Sequence, residues 1–279
     1  MASHILILLG VSFFTVGISA LPRSTSHNVR QEDLDPDDQS WIQNWAAVGD
    51  SYASGIGAGN NIDYSCSRYD NAYPNLINND ERLSGQQIFE FKACSGAVTN
   101  DVAKQVDALS SNQDAITVSS GGNDALLVSL LNECIYGWLI SFSNCDKAIA
   151  SSKNAITNDL PARLDNLYSK TKGKLSSQGA AYITGYSRFF DETTNECDSV
   201  TFWMILIPFA HREYLTQARR QQLNGLVDMM NSALRDAVSR AGDQFIFVEY
   251  DSPFGDFEGR YCEPGVKEPA PNRADLLFY

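Results

Sequence analysis

The sequence predicts an α/β protein of three layers, α/β/α, built around a five-stranded, mostly parallel sheet. Two observations carry this. Five short β-type runs alternate with stretches of helical periodicity, the order expected of a parallel sheet with helices on both faces. Small residues, glycines and polar side chains then collect where those runs end, at the edge where such sheets bind ligands.

Taken in order, the first run, Trp45 to Val48, ends in Gly49-Asp50-Ser51. Ile88 to Ala93 leads into Cys94-Ser95-Gly96-Ala97, and Ala115 to Ser119 into Ser120-Gly121-Gly122-Asn123-Asp124. Ala180 to Thr184 is the fourth run, and Gln244 to Tyr250 the fifth, ending at Asp251-Ser252-Pro253. Asp124 to Tyr136 is expected to be helical, with an acidic start and Leu126, Leu127, Leu130 and Leu131. Thr216 to Ala241 is the clearest helix. Leu223, Leu226, Val227, Met230, Leu234, Ala237 and Val238 form its apolar stripe, Thr216 stands at the N-cap, and Gly242 follows the last turn. The run Phe202 to Phe209, broken by Pro208, is too short to cross a bilayer and reads as a buried segment or a groove wall.

Residues 1–20 carry no Asp, Glu, Lys or Arg, Ile5 to Val16 is mostly apolar, and Ile18-Ser19-Ala20 offers small residues for cleavage. A secretory signal peptide is expected, hence an extracellular protein with no integral membrane segment in the mature chain. Residues 21–40, with Glu32, Asp33, Asp35, Asp37 and Asp38, are expected to be a polar leader, and 41–279 a single domain. The net charge of −13 speaks against nucleic acid or an anionic membrane as partner, since both call for clustered Lys and Arg.

Six cysteines, Cys66, Cys94, Cys134, Cys145, Cys197 and Cys262, suit three disulfides in a secreted chain. Sequence neighbours are the preferred pairs among the possible connectivities: Cys66–Cys94, Cys134–Cys145 and Cys197–Cys262. Metal binding is the competing reading, weakened by the lack of any Cys-x-x-Cys pair and by a total of three histidines.

The strand ends hold the parts of an acyl-transfer site: a hydroxyl to attack, donors for the developing oxyanion, and room for a ligand. Ser51 supplies the hydroxyl. The Ser51 and Gly96 N–H groups and the Asn123 side-chain amide are the candidate donors. Each part also has a plainer reading: Gly-Asp-Ser as a capped turn, Gly96 as a turn beside a disulfide, and Gly-Gly-Asn-Asp as a tight turn with Asp124 capping the next helix. Tyr52, Tyr64 and Phe254 are candidate groove aromatics.

In combination, Gly49-Asp50-Ser51, the lone Gly96 and Gly121-Gly122-Asn123-Asp124 resemble the first three sequence blocks of the SGNH (GDSL-like) hydrolases, whose sheet is flavodoxin-like. The resemblance runs from about Trp45 onward. It takes in Gly185-Tyr186, the stretch Arg220 to Val227, and Tyr261-Cys262-Glu263-Pro264-Gly265, which are similar to the secreted, disulfide-containing esterase and lipase branch, especially its fungal members. It implies Ser51 as nucleophile, an oxyanion hole of Ser51, Gly96 and Asn123, and two-step hydrolysis of a small-molecule, lipid or glycan ester with no metal or organic cofactor.

The family's general base is a histidine in a fifth block near the C-terminus. Here the histidines are His4, His27 and His211, all upstream of the fifth strand. The neighbourhood of Asp251, at the end of the fifth run, offers only a carboxylate, a class of group that is a poor match to proton transfer from serine. The expectation is therefore a domain incomplete at its C-terminus; the alternative is a secreted protein that keeps the ester groove and binds without turnover.

Overall fold

The computed structural model describes residues 39–83, 87–136, 144–202, 213–270, 273 and 276. The signal peptide, nearly all of the leader, all three histidines and most of the apolar run Phe202 to Phe209 lie outside the described residues.

Five strands form one sheet: β1 (Asn44–Gly49), β4 (Ile88–Phe91), β5 (Gln113–Ser119), β6 (Leu175–Thr184) and β7 (Phe245–Val248). Their order is β4-β1-β5-β6-β7, and every neighbouring pair is parallel. The chain therefore steps from β1 to one side, returns past it, and continues on the other. That reversal opens a crevice at the carboxyl ends of β1 and β5, where doubly wound folds bind ligands. A small antiparallel hairpin, β2 (Asn61–Asp63) with β3 (Arg68–Tyr69), stands apart from the sheet and was not foreseen. Its strands are too short to show a period-2 pattern.

The expected strands all form, with shifted ends. Leu175 extends the fourth strand backward by pairing with Gln113, through an irregularity between Gln113 and Ala115. Helices follow or flank the strands as α1 (Ser51–Ser54), α2 (Tyr73–Asn78), α3 (Thr99–Asp107), α4 (Leu127–Leu131), α5 (Cys145–Asn154), α6 (Leu160–Lys172), α7 (Gln217–Ala241) and α8 (Asp251–Asp256). The helix expected over Asp124 to Tyr136 is broken. Asp124 and Ala125 belong to a turn, Leu126 is left-handed, and α4 passes into a π-helical turn at Asn132–Tyr136.

Alternation along the strands sorts the core. Ala46, Val48, Ile116, Val118, Ala181 and Ile183 face α3, α6 and α7 in one large cluster. The stripe Leu160, Leu164, Leu167 and Tyr168 of α6 is almost wholly buried within it. On the opposite face Trp45, Ala47 and Ala115 pack with Phe89, Phe91 and Tyr182, under Ile77 of α2. Trp45 stacks on Phe89 at 4.2 Å, and its indole N–H donates to Asn78 at 3.2 Å. The three disulfides join Cys66 to Cys94, Cys134 to Cys145 and Cys197 to Cys262, pairing sequence neighbours.

Candidate active site

β1 stops at Gly49 because the next step needs a backbone that only glycine supplies. Its φ is +148°, and a Cβ there would lie 2.4 Å from the Ser119 carbonyl oxygen. The turn is clamped on three sides. Cys94 N–H donates to Gly49 O at 2.9 Å, and Asp50 N–H to Ser119 O at 3.0 Å. Gln105 of α3 brackets the glycine, accepting its N–H at 2.8 Å and donating to its carbonyl at 3.0 Å. Ser51 is thereby delivered as the first residue of α1, beyond the carboxyl end of β1.

Asp50 points the other way, into the protein. Its carboxylate accepts from Tyr52 N–H at 3.1 Å, Ser119 Oγ at 2.9 Å and Tyr186 Oη at 2.5 Å. Tyr186 also accepts the Gly122 N–H at 3.0 Å, so one buried hydroxyl ties the Gly49-Asp50-Ser51 turn to the glycine pair before Asn123. Asn231 of α7 holds that tyrosine in place, accepting its N–H and donating to its carbonyl, each at 2.8 Å. Tyr52 packs edge-on against Tyr186 with ring centroids 4.9 Å apart, walling in Asp50.

The candidate donors stand at the carboxyl ends of three neighbouring strands. Ser51 N–H belongs to the first helical turn, whose donors have no intrahelical acceptor. Gly96, with φ +80°, faces open space: a Cβ there would meet nothing within 4 Å. Its N–H donates to no acceptor among the described residues. Asn123 donates one amide hydrogen to Ala97 O at 2.9 Å, which anchors it to the Gly96 loop and leaves a second hydrogen on the same nitrogen. Asp124 does not cap the following helix. It accepts from the Thr99 N–H at 2.8 Å and the Thr99 hydroxyl at 2.9 Å, so it caps α3 from across the site, and it pairs with Arg163 at 2.9 Å.

Asp251 is committed elsewhere, accepting from Ser187 Oγ at 3.1 Å, Arg188 N–H at 2.7 Å and the Arg260 guanidinium at 2.7 Å. Of the aromatics expected in a groove, Tyr52 turns inward, Phe254 lies near Tyr250, and Tyr64 stands exposed on the hairpin.

A family profile of the GDSL-like Lipase/Acylhydrolase family matches residues 47–265, which span this arrangement. The chain belongs to this family. It is 32% identical over 204 residues to Lipase 1 of Streptomyces coelicolor, covering 72% of this chain and 68% of that protein. A lipase of Streptomyces rimosus is 36% identical over 149 residues, about half of each chain (52% and 53%). The crystal structure of an extracellular lipase from Streptomyces rimosus superposes with a TM-score of 0.63 at 25% identity, covering 82% of this chain and 91% of that one. Phospholipase A1 from Streptomyces albidoflavus NA297 gives 0.61 at 29%, covering 77% and 83%. A lipase or esterase function follows at the level of the family. These relatives are Streptomyces proteins and do not bear out the fungal-branch likeness of the C-terminal motif.

The sequence reading of this family site missed its supports: Gln105, Ser119, the Tyr186 hydroxyl and Asn231. A signal existed for Asn231, which falls on the apolar stripe of α7 beside Met230 and Leu234, where an amide needs a partner.

Burial pushes the Asp50 carboxyl from 3.8 up to about 6, and its three hydrogen bonds offset this only in part. A carboxyl raised in the folded state holds its proton there after the unfolded chain has released it. The stability this contributes is whole below the unfolded pKa and declines as pH rises through the folded one. Relative to Asp50→Asn, which cannot ionise, the wild type is expected to lose about 3 kcal/mol between pH 3.5 and pH 7. Urea unfolding of both proteins across that range measures it; parallel stability curves would refute the assignment.

Proposed function

We propose that the chain is a secreted serine esterase or lipase that cleaves carboxylic esters at Ser51 through an acyl-serine intermediate. In this reading Ser51 Oγ adds to the ester carbonyl and the alcohol leaves with the serine's proton. Water then releases the acid and restores the hydroxyl. Ser51 N–H, Gly96 N–H and the remaining Asn123 amide hydrogen hold the oxyanion. The observation that carries the proposal is their placement: three donors with capacity to spare at the ends of β1, β4 and β5, which are neighbours in the sheet, with Ser51 at the first of these ends. Removal of a single such donor typically costs ~3–4 kcal/mol of transition-state stabilisation. The three disulfides and the extracellular Streptomyces rimosus relative support secretion. Among the described residues no helix is long and apolar enough to cross a membrane.

A second reading, ester binding without turnover, is favoured by one observation. The carboxylate at the end of β7, Asp251, is already taken by Ser187, Arg188 and Arg260. One experiment separates the two. A fluorophosphonate probe followed by peptide mass spectrometry is expected to tag Ser51, with the tag absent from Ser51→Ala, alongside hydrolysis of a p-nitrophenyl ester. Ester hydrolysis that survives Ser51→Ala would end the first reading. Ester binding with neither tag nor turnover would establish the second.

A further inference from the structure

We propose that the connections on either side of Ser51 form a rim that docks on a lipid surface without net charge. The inference rests on the reading of Ser51 as the ester-cleaving residue and names the surface that presents its substrate. Among the described residues eleven large hydrophobic side chains are exposed, and six of them fall in two short stretches: Ile56, Ile62 and Tyr64, and Leu126, Val128 and Tyr136. The first stretch leaves the carboxyl end of β1 and the second that of β5. These strands are parallel neighbours, so both stretches begin at one sheet edge, astride the crevice. The hairpin is held to that edge by Cys66–Cys94 and by Ser95 N–H donating to Cys66 O at 3.0 Å.

Single exposed hydrophobic residues are ordinary on a protein surface. Two further observations set this rim apart. First, residues 51–62 and 125–132, which carry four of the six (Ile56, Ile62, Leu126 and Val128), contain no Asp, Glu, Lys or Arg, in a chain that is 20% charged with a net charge of −13. Asp124, next to the second stretch, is only 5% exposed and paired with Arg163. The part of the rim that bears Ile56, Ile62, Leu126 and Val128 is thus uncharged in an acidic protein; Asp63, before Tyr64, pairs with Arg68, and Glu133, before Tyr136, accepts the Asn144 N–H at 3.1 Å. Second, Leu126 is held left-handed at φ 61° and remains 41% exposed. That conformation costs an ordinary residue ~1–2 kcal/mol. It is fixed by Leu126 N–H to Asn123 O and Leu127 N–H to Gly122 O, both 3.1 Å, so the loop bearing an oxyanion donor also turns a leucine outward.

An apolar rim gains free energy by entering the headgroup–acyl boundary. The acidic body behind it is repelled by an anionic bilayer and indifferent to a zwitterionic one. The test uses the Ser51→Ala protein, which need not turn over, sedimented with phosphatidylcholine vesicles and with vesicles containing phosphatidylglycerol. Partition onto phosphatidylcholine is expected, insensitive to salt and weaker as anionic lipid is added. Ile56→Ser, Ile62→Ser and Val128→Ser together are expected to lower it about tenfold or more. Should that triple variant unfold, Val128→Ser alone is expected to lower it about threefold. Unchanged partition of a folded variant, or binding confined to anionic vesicles, would overturn the proposal. Ester hydrolysis persisting in Ser51→Ala would instead remove the nucleophile assignment and leave the partition result standing.

Discussion

Gly49→Ala is expected to silence Ser51 without touching it. The new Cβ would sit 2.4 Å from Ser119 O and 3.0 Å from both the Ala53 and Ser119 Cβ atoms, at φ +148°, where no L side chain is comfortable. The first of these contacts is backbone on a central strand, so no side-chain rotation relieves it. Relief must come from parting β1 and β5 at their ends. That breaks the Asp50 N–H to Ser119 O bond and the grip of Gln105 on the glycine peptide. Overpacking and backbone strain together place the loss at about 3 kcal/mol or more. Displacing a reacting group by an ångström typically costs about a hundredfold in rate, and Ser51 is the proposed one. Urea unfolding and the rate of fluorophosphonate labelling read the two effects separately; labelling at the wild-type rate would sink the argument. Gly96→Ala is the informative contrast. Nothing lies within 4 Å of its Cβ position, so the expected cost is the left-handed penalty alone, about 1 kcal/mol. Its methyl would enter the open space that the proposed oxyanion occupies, so labelling should slow far more than stability falls.

These two glycines also mark what was legible in the sequence. That a glycine, a serine and an asparagine stand at three strand ends could be read directly, because parallel strands with helical connections bring those ends to one edge. Why each is there could not. Gly49 is excluded from change by a carbonyl 70 residues further along the chain, and Gly96 by the emptiness beside it. Asp124 showed the same limit. An aspartate before an apolar run reads locally as the cap of the next helix. The structure spends it on α3, because the turn of Gly121 and Gly122 carries it back across the crevice to Thr99. The π-helical turn at Asn132–Tyr136 and the hairpin at Asn61–Tyr69 were likewise out of reach. Sequence periodicity reports elements long enough to repeat, and these are too short.

Arg220→Met is expected to be the most damaging change away from the site. Arg220 is wholly buried (0% exposed), rare for an arginine. Its guanidinium donates to Leu215 O at 2.9 Å, Asp191 O at 2.5 Å, Thr194 O at 2.6 Å and Asp198 Oδ1 at 3.2 Å. One turn along α7, Asn224 donates to Phe190 O at 2.8 Å and Glu192 at 2.7 Å. Residues 185–202 after β6, which form no helix or strand, are therefore held to α7 by side chains. They in turn hold the C-terminal segment through Cys197–Cys262 and through Tyr261 N–H to Phe189 O at 2.8 Å. Methionine fills much of the volume but leaves three carbonyls and a carboxylate without their donor, which places the loss at about 3–5 kcal/mol. Arg220→Lys should recover little, because one compact ammonium cannot reach acceptors that a planar fork spans. Urea unfolding gives the magnitude, and faster proteolysis between Arg188 and Thr201 gives the location; a loss below about 1 kcal/mol would refute the staple. The helical spacing held this clue all along. Arg220, Asn224 and Asn231 continue the stripe of Leu223, Val227, Met230 and Leu234, so the polar residues on the buried face of α7 were the ones with work to do on the chain packed against it.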